Sequence, residues 1–162
     1  MSKDKIPKTG IDEKDLYEYM ENSMHSDIDW RSGKTFGAIY YPGEKYSKAI
    51  SNAYIKYMHE NAFDPQLFSS ILTMENELVQ QTASLFSSNQ KLFGNLTSGG
   101  TESIFLSLLS ARNWSNKQKT IKNPEVILSS SAHPAFLKAM NFLKIKPVIV
   151  PTKKDFNLNL NG

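Results

Sequence analysis

The sequence predicts an α/β protein in which a helical N-terminal segment precedes the first part of a mainly parallel β-sheet with helices. Two observations predict this class. Up to about residue 86 the apolar residues recur at helical spacing, apart from an irregular segment at 31–44. Further on, apolar stretches at 125–129 and 145–150 flank a helical pattern at 131–144. A strand, a helix of about a dozen residues and a second strand form a βαβ unit with parallel strands.

The first half of the chain predicts three helices and one irregular segment. Residues 11–24 have apolar side chains at helical spacing, and Asp12 is a candidate N-cap. Residues 31–44 are interrupted by glycine and proline and are expected to be irregular. Helical spacing returns at 46–61 and at 70–86. The latter helix carries an apolar stripe of Met74, Leu78, Val79, Thr82, Leu85 and Phe86.

The second half predicts the sheet and its helices. The helix at 101–114 is apolar on most of its circumference and is expected to be buried on more than one side. The helix at 131–144 is expected to turn Phe136, Ala139, Met140 and Leu143 inward. Residues 129–133 follow the first strand, and ligands of parallel sheets bind beyond the carboxyl ends of strands.

Domain organisation follows from how this pattern ends. Residues 153–162 alternate apolar and polar side chains, and no closing helix follows them. Two strands with these helices would leave open edges and uncovered sheet faces. We therefore expect the front part of a larger protein, with a helical arm at 1–60 and an incomplete large domain at 61–162.

Composition excludes several classes of function. The 162 residues are 40% hydrophobic and 11% aromatic, which suits a globular protein with a core. The 19 basic and 16 acidic residues are dispersed, and a net charge of +3 gives no reason to expect a nucleic-acid partner. The sequence has no cysteine and three widely separated histidines, so we expect neither disulfides nor a metal site. The absence of a long apolar run predicts a protein with no transmembrane segment, and we expect it to be cytoplasmic.

The run Gly94-Asn-Leu-Thr-Ser-Gly-Gly-Thr-Glu-Ser103 leads directly into an apolar helical pattern. Amides at a helix start point outward and carry the positive end of the helix dipole, so they attract anions. Gly99 and Gly100 are expected to adopt positive φ and to let a ligand approach the backbone. Neither a P-loop lysine nor G-x-G-x-x-G spacing is present. The run therefore predicts an anion cradle, with a capping loop that binds nothing as the alternative.

Four stretches occur in the order found in one enzyme superfamily. They are Phe36-Gly-Ala-Ile-Tyr40, the segment from Asn61-Ala-Phe-Asp-Pro65 to Met74-Glu-Asn-Glu-Leu-Val79, Thr97-Ser-Gly-Gly-Thr-Glu-Ser103, and Ser131-Ala-His-Pro-Ala-Phe-Leu-Lys-Ala139. In these four stretches the chain resembles the pyridoxal-5'-phosphate (PLP) dependent, group II decarboxylase superfamily. Within that superfamily it most resembles the sphingosine-1-phosphate lyases. The resemblance implies the N-terminal portion of an aspartate-aminotransferase-like (type I) PLP fold, with residues 61–162 as part of the PLP-binding large domain.

The resemblance also implies how the cofactor is held. Gly100 and Thr101, helped by Ser98 and Gly99, would bind the PLP phosphate. Glu102 would then be expected to face away from that phosphate.

His133 matches the family histidine that stacks on the pyridine ring, although the residues alone would make it a helix cap. Tyr40 and Asn61 match substrate-binding positions. The family is dimeric, so the resemblance implies a homodimer in which both residues are candidates for the partner's site.

The implied reaction is cleavage of a phosphorylated sphingoid base, a small-molecule amine, to a fatty aldehyde and phosphoethanolamine. The lyases read Asn-Pro-Leu-His where this chain reads Asn61-Ala-Phe-Asp64, and Asp64 would repel a phosphorylated headgroup. An amino-acid decarboxylase therefore stays open as an alternative.

The family's Schiff-base lysine and the aspartate that binds the pyridine nitrogen would lie beyond Gly162, and Lys138 does not match that lysine. We therefore expect no catalytic residue in this chain and no activity from it alone. A non-catalytic remnant or one half of a split protein is a further alternative.

Overall fold

The structure is a computed structural model and describes residues 6, 8–37, 39–86 and 92–159. Contacts within the chain divide it into two compact units, Met1–Asn61 and Ala62–Gly162. Part of the expected alternating segment at 153–162, including Leu160, lies outside the described residues.

The first unit contains two helices. Helix α1, Glu13–Met24, begins after Asp12, whose carboxylate accepts a 3.0 Å hydrogen bond from the Lys14 N–H, which confirms the predicted cap. Helix α2 spans Glu44–Tyr57, two residues earlier at its start than predicted and four earlier at its end. None of the described residues of this unit is buried.

The segment between α1 and α2 is irregular as predicted, apart from a short 3₁₀ helix at Trp30–Ser32. Its turns depend on glycine, since Gly33, Gly37 and Gly43 have φ of 78°, 87° and 90°. Residues that have a Cβ atom rarely adopt such φ values.

The second unit contains the predicted βαβ arrangement. Helices α3 (Ser69–Ser84) and α4 (Gly100–Gln118) precede strand β1 (Glu125–Ser129), helix α5 (Pro134–Leu143) and strand β2 (Lys146–Val150). Strands β1 and β2 pair in parallel, with Ile127 opposite Val148. The parallel pairing confirms the topology predicted from the strand–helix–strand pattern.

The core lies where α5 packs between α4 and the sheet. Its buried members are Leu108 from α4, Leu128 from β1, and Ala139, Met140, Leu143 and Ile145 from α5 and the residues after it. Met140 is fully buried, and the expected inward residue Phe136 is partly buried against the same cluster. Positions i, i+3, i+4 and i+7 on one helix share a face, so α5 turns a continuous apolar surface inward.

Helix α4 differs from the expectation that it is buried on more than one side. Leu108 is its one buried residue, and Trp114 is 66% exposed. Helix α4 packs against α5, and Ile104, Phe105 and Leu109 are only partly buried against the core, because the described part of the sheet has two strands.

The junction from α5 to β2 is a tight left-handed cap. Lys144 has φ 56° and ψ 42°, and the Ile145 N–H donates to the Met140 carbonyl over 2.9 Å. This six-to-one bond is that of a Schellman motif, in which glycine is the usual residue at the left-handed position.

Helix α3 packs against the extended segment that leads to α4. The Gln80 side-chain amide donates to the Leu92 carbonyl over 2.8 Å, and the Leu96 N–H donates to Glu75 Oε1 over 2.9 Å. A Cβ on Gly94 would lie 3.2 Å from Cγ1 of Val79, so the backbone passes close to this helix at Gly94.

Candidate functional site

The start of α4 presents backbone amides to the exterior. Gly99 is the N-cap and Gly100 the first helical residue. The N–H groups of the first helical turn, from Gly100 to Glu102, have no carbonyl partner inside the helix. The Ser103 N–H already donates to the Gly99 carbonyl over 3.1 Å. The helix therefore offers three adjacent amides at its positive end, on the residues where an anion cradle was predicted.

The positive φ expected for the two glycines of this loop, that of the left-handed region, does not occur. Gly99 has φ 161° and ψ 177°, which is extended backbone, and Gly100 lies within the helix. Gly99 is extended because the loop runs straight into the helix at this residue, without a left-handed turn.

Open space, and not backbone conformation, distinguishes Gly99 and Gly100. A Cβ added to either would meet no atom of the described chain within 4 Å. Packing of the chain on itself therefore does not explain either glycine, in contrast to Gly94 with its close contact to Val79. The space in front of both residues lets a group from outside the chain approach the backbone.

Side chains of the loop tie it to the first turn of α4. The hydroxyl groups of Thr97 and Ser103 lie 2.6 Å apart. Glu102 Oε2 accepts from the Ser98 hydroxyl over 2.6 Å and from the Ser98 N–H over 2.7 Å. The Thr101 hydroxyl makes no hydrogen bond to the described part of the chain. The loop is thus fixed on both sides of the glycines while the Thr101 hydroxyl stays available.

Glu102 turns back toward the loop and bonds to Ser98. Its carboxylate turns back to Ser98 because two hydrogen-bond donors and the positive end of the helix dipole meet there. The bond from the Ser98 hydroxyl, followed by that from the Ser98 amide, lowers the pKa of Glu102 below its usual value.

A groove of about 440 Å³ lies between the start of α4 and α5. Its polar lining comes from Ser98, Thr101 and Glu102 at one end and Lys138 on α5. Its apolar lining consists of Phe105, Ala135, Ala139 and Phe142. Two of the predicted cofactor-binding residues, Ser98 and Thr101, therefore share one concave surface.

His133 caps α5. Its Nδ1 accepts a 3.1 Å hydrogen bond from the Ala135 N–H, so the proton of the neutral ring is on Nε2. The residue follows the turn after β1, as predicted, and it does not line the groove between α4 and α5.

Tyr40 and Asn61 lie in the first unit, apart in sequence from the loop at α4. The Tyr40 side chain is 93% exposed. Its neighbour Tyr41 donates to Glu44 Oε1 over 2.5 Å and packs edge-on against Trp30 with ring centroids 5.4 Å apart. The hydrogen bond to Glu44 raises the pKa of Tyr41.

The hydrogen bonds of two acidic residues near this loop were not predicted from the sequence. Glu75 binds the backbone of Leu96 and Glu102 binds Ser98. The signal for Glu102 was present, since glutamate at the third helical position often reaches back to amides before the helix in a capping box. The signal for Glu75 was absent, because a contact across 21 residues has no local spacing.

Asp64 has a structural use in its turn. Its Oδ1 accepts from the N–H groups of Gln66 and Leu67 over 2.9 and 3.2 Å. Such a turn explains an aspartate at this position without a ligand.

Comparison with known proteins finds sequence similarity to two kinds of enzyme. It is 34% identical over 165 residues to a sphingosine-1-phosphate lyase of Oryza sativa subsp. japonica, and the match covers 97% of this chain and 30% of that protein. An L-aspartate decarboxylase of Thermococcus kodakarensis is 32% identical over 156 residues, covering 96% of this chain and 38% of that protein. The chain therefore spans about a third of the length of these relatives. No protein-family model matches it.

Two solved structures share the fold. The sphingosine-1-phosphate lyase of Burkholderia pseudomallei superposes with a TM-score of 0.83 at 25% identity, over 96% of this chain and 38% of that chain. The glutamate decarboxylase of Lactobacillus brevis superposes with a TM-score of 0.73 at 16% identity, over 96% of this chain and 36% of that chain. These matches confirm both the resemblance drawn from the four sequence stretches and the predicted fold class.

Among the described helices, none is both long enough and apolar enough to cross a membrane.

Proposed function

We propose that this chain, which is similar in sequence to the sphingosine-1-phosphate lyases and has the fold of the N-terminal part of a type I PLP enzyme, holds the phosphate of PLP at the start of α4. One observation carries the proposal. Gly99 and Gly100 leave open space in front of outward-facing amides, and neither backbone conformation nor the packing of the chain explains the two glycines.

The residues of the loop fit a phosphate group. The amides of Gly100 and Thr101 belong to the first helical turn, and the Thr101 hydroxyl adds a donor beside them. Ser98 and Gly99 help by shaping the approach to the helix. The helix dipole favours a dianion at this end by about 0.3–1 kcal/mol.

His133 fits the flat ring of the same cofactor. The hydrogen bond from the Ala135 amide to Nδ1 fixes the orientation of the imidazole and leaves a flat face and the Nε2 proton for a ligand. The cofactor, when bound, supplies an electron sink for the bond that breaks. We assign to His133 the task of holding the ring in plane.

The complete reaction that we propose is cleavage of a carbon–carbon bond in a phosphorylated sphingoid base, giving a fatty aldehyde and phosphoethanolamine. Tyr40 and Asn61 are the proposed substrate-binding residues, and in a homodimer they would serve the partner's site. The exposure of Tyr40 supports a role toward a ligand or a partner, since a tyrosine this exposed contributes little to packing within the chain.

Binding of two probes to the 162-residue chain tests the cofactor proposal. Pyridoxamine 5'-phosphate and pyridoxamine differ only in the phosphate, and neither needs a lysine to bind. We expect calorimetry to give at least about tenfold tighter binding of the phosphorylated probe, because charged hydrogen bonds contribute about 1.5–3 kcal/mol. Equal affinity for the two probes would contradict a phosphate site.

An amino-acid decarboxylase is the second candidate. It is favoured by the similarity to the L-aspartate decarboxylase and by Asp64, which replaces the histidine of the lyases and has a local role in its turn. Incubation of the protein from its native source with PLP and each substrate separates the two functions. Release of a fatty aldehyde from a phosphorylated sphingoid base supports the lyase, and release of carbon dioxide from L-aspartate supports the decarboxylase.

A further inference from the structure

The segment that enters α4 is tied down by side chains at three consecutive residues. The Leu96 N–H donates to Glu75 on α3, the Thr97 hydroxyl pairs with that of Ser103, and both donors of Ser98 go to Glu102. The Gly99 carbonyl also accepts from the Thr97 and Ser103 hydroxyl groups over 3.2 and 3.3 Å, so the segment is fixed up to the open amides.

Glu102 has a special position among these partners because it is a carboxylate beside a proposed phosphate site. A free carboxylate there would repel a dianion. In this structure it accepts two hydrogen bonds from Ser98, at 2.6 and 2.7 Å. The same bonds occupy the hydroxyl and the amide proton that Ser98 would otherwise offer to a ligand.

We infer that Glu102 is a positioning residue of the cradle: it holds Ser98, and through Ser98 the extended Gly99, so that the Gly100 and Thr101 amides and the Thr101 hydroxyl contact the phosphate while Ser98 does not. The inference rests on the proposed function, since it concerns the same site. It assigns opposite roles to two neighbouring polar residues, direct contact to Thr101 and indirect support to Ser98.

A double-mutant cycle with the two probes tests this assignment. Glu102→Ala is expected to weaken binding of pyridoxamine 5'-phosphate about tenfold and to leave pyridoxamine unaffected, because it removes the acceptor of both Ser98 bonds. Ser98→Ala removes the hydroxyl bond and keeps the amide bond, so its loss should be smaller. The double variant should then bind within about twofold of Glu102→Ala, because that variant has already lost both bonds. Glu102→Gln should retain most of the affinity, because its amide oxygen still accepts from Ser98. Glu77→Ala is the matched control, since Glu77 is an exposed glutamate on α3 with no partner in the described chain.

Other results would overturn the inference. Losses that multiply in the double variant would mean that Ser98 contacts the phosphate itself. Tighter binding by Glu102→Ala would mean that the carboxylate acts by repulsion.

If the wild-type chain binds both probes equally, the proposed function fails, and the ligand-free chain decides the role of Glu102 alone. Glu102→Ala should then shift the amide resonances of Ser98, Gly99, Gly100 and Thr101 together, relative to Glu77→Ala. Resonances that change only at the mutated residue and its chain neighbours would overturn positioning.

Discussion

At the scale of single residues, the hydrogen bonding of Thr101 favours an anion site over a simple helix cap. Its hydroxyl has no partner within the described chain, while the nearby hydroxyl groups of Thr97, Ser98 and Ser103 are engaged with one another or with Glu102. A side chain that serves only to cap the helix would bond to the helix itself.

Thr101→Val is expected to weaken binding of pyridoxamine 5'-phosphate about 10- to 150-fold, because a hydroxyl bond to a charged group contributes about 1.5–3 kcal/mol. Calorimetry measures the loss. Thr120→Val is the control, since Thr120 lies exposed after α4. Unchanged affinity in the Thr101 variant would place the phosphate elsewhere.

The hydrogen bonds to Glu102 also predict a dependence on pH. The pKa of Glu102 is lowered in the folded chain, so the ionised carboxylate stabilises the fold at pH above the ordinary glutamate pKa. This stabilisation should be lost as the pH falls through the folded-state pKa, below about 4.5. The amide proton resonance of Ser98 should follow this titration in the wild type and remain constant in Glu102→Gln. A constant Ser98 resonance in the wild type would argue against the bond.

At the scale of elements, the packing of α3 against the segment before α4 includes a close contact between the Gly94 backbone and the Val79 side chain. A Cβ at Gly94 would lie 3.2 Å from Val79 Cγ1, closer than ordinary contact, and Val79 is half-buried beneath the segment. We expect Gly94→Ala to destabilise the fold by about 1 kcal/mol through overpacking. Urea denaturation measures this change, and Val79→Ala in the same chain should recover part of the loss. Full additivity of the two destabilisations would contradict the contact.

The sequence predicted the elements of the second unit better than their burial. The bounds of β1 are those predicted, because a short apolar run between Pro124 and a serine-rich turn has a clear start and end. Burial of α4 was overestimated, since the apolar circumference of a helix indicates what it could cover and not which neighbours the described chain provides. The predicted conformation of Gly99 and Gly100 was also wrong. Two adjacent glycines indicate a backbone with many accessible φ and ψ values, but they do not specify which values the chain adopts.

The roles of the candidate site residues remain predictions, although the local geometry of several is now defined. Sequence could indicate the position of the cradle, because helix starts and glycine pairs are local patterns. It could not indicate that Glu75 would hold the segment from α3, since that contact depends on how distant parts of the chain meet.

For the molecule as a whole, the two units differ in how much they bury. All buried residues of the described chain belong to the second unit, with Met140 fully enclosed. The helices of the first unit keep aromatic and aliphatic side chains exposed, such as Tyr54 at 71%.

Hydrogen exchange should therefore distinguish the two units in the isolated chain. We expect amides of α1 and α2 to exchange near the rate of an unfolded peptide, and those of β1 and α5 to be protected by at least about a hundredfold. Mass spectrometry of peptic fragments measures both in one sample, so each unit is the internal control of the other. Equal protection in α1 and α5 would show that the first unit is buried in the protein as it exists in solution.

The left-handed cap at Lys144 limits how the chain can vary in length. Lys144 and Ile145 alone join α5 to β2, and the bond from Ile145 to Met140 closes this junction. Because side chains alternate along a strand, one residue inserted there would exchange the inward and outward positions of β2. The junction therefore does not tolerate an inserted residue. We expect related chains to differ in length at the loop after α4 more often than at this junction.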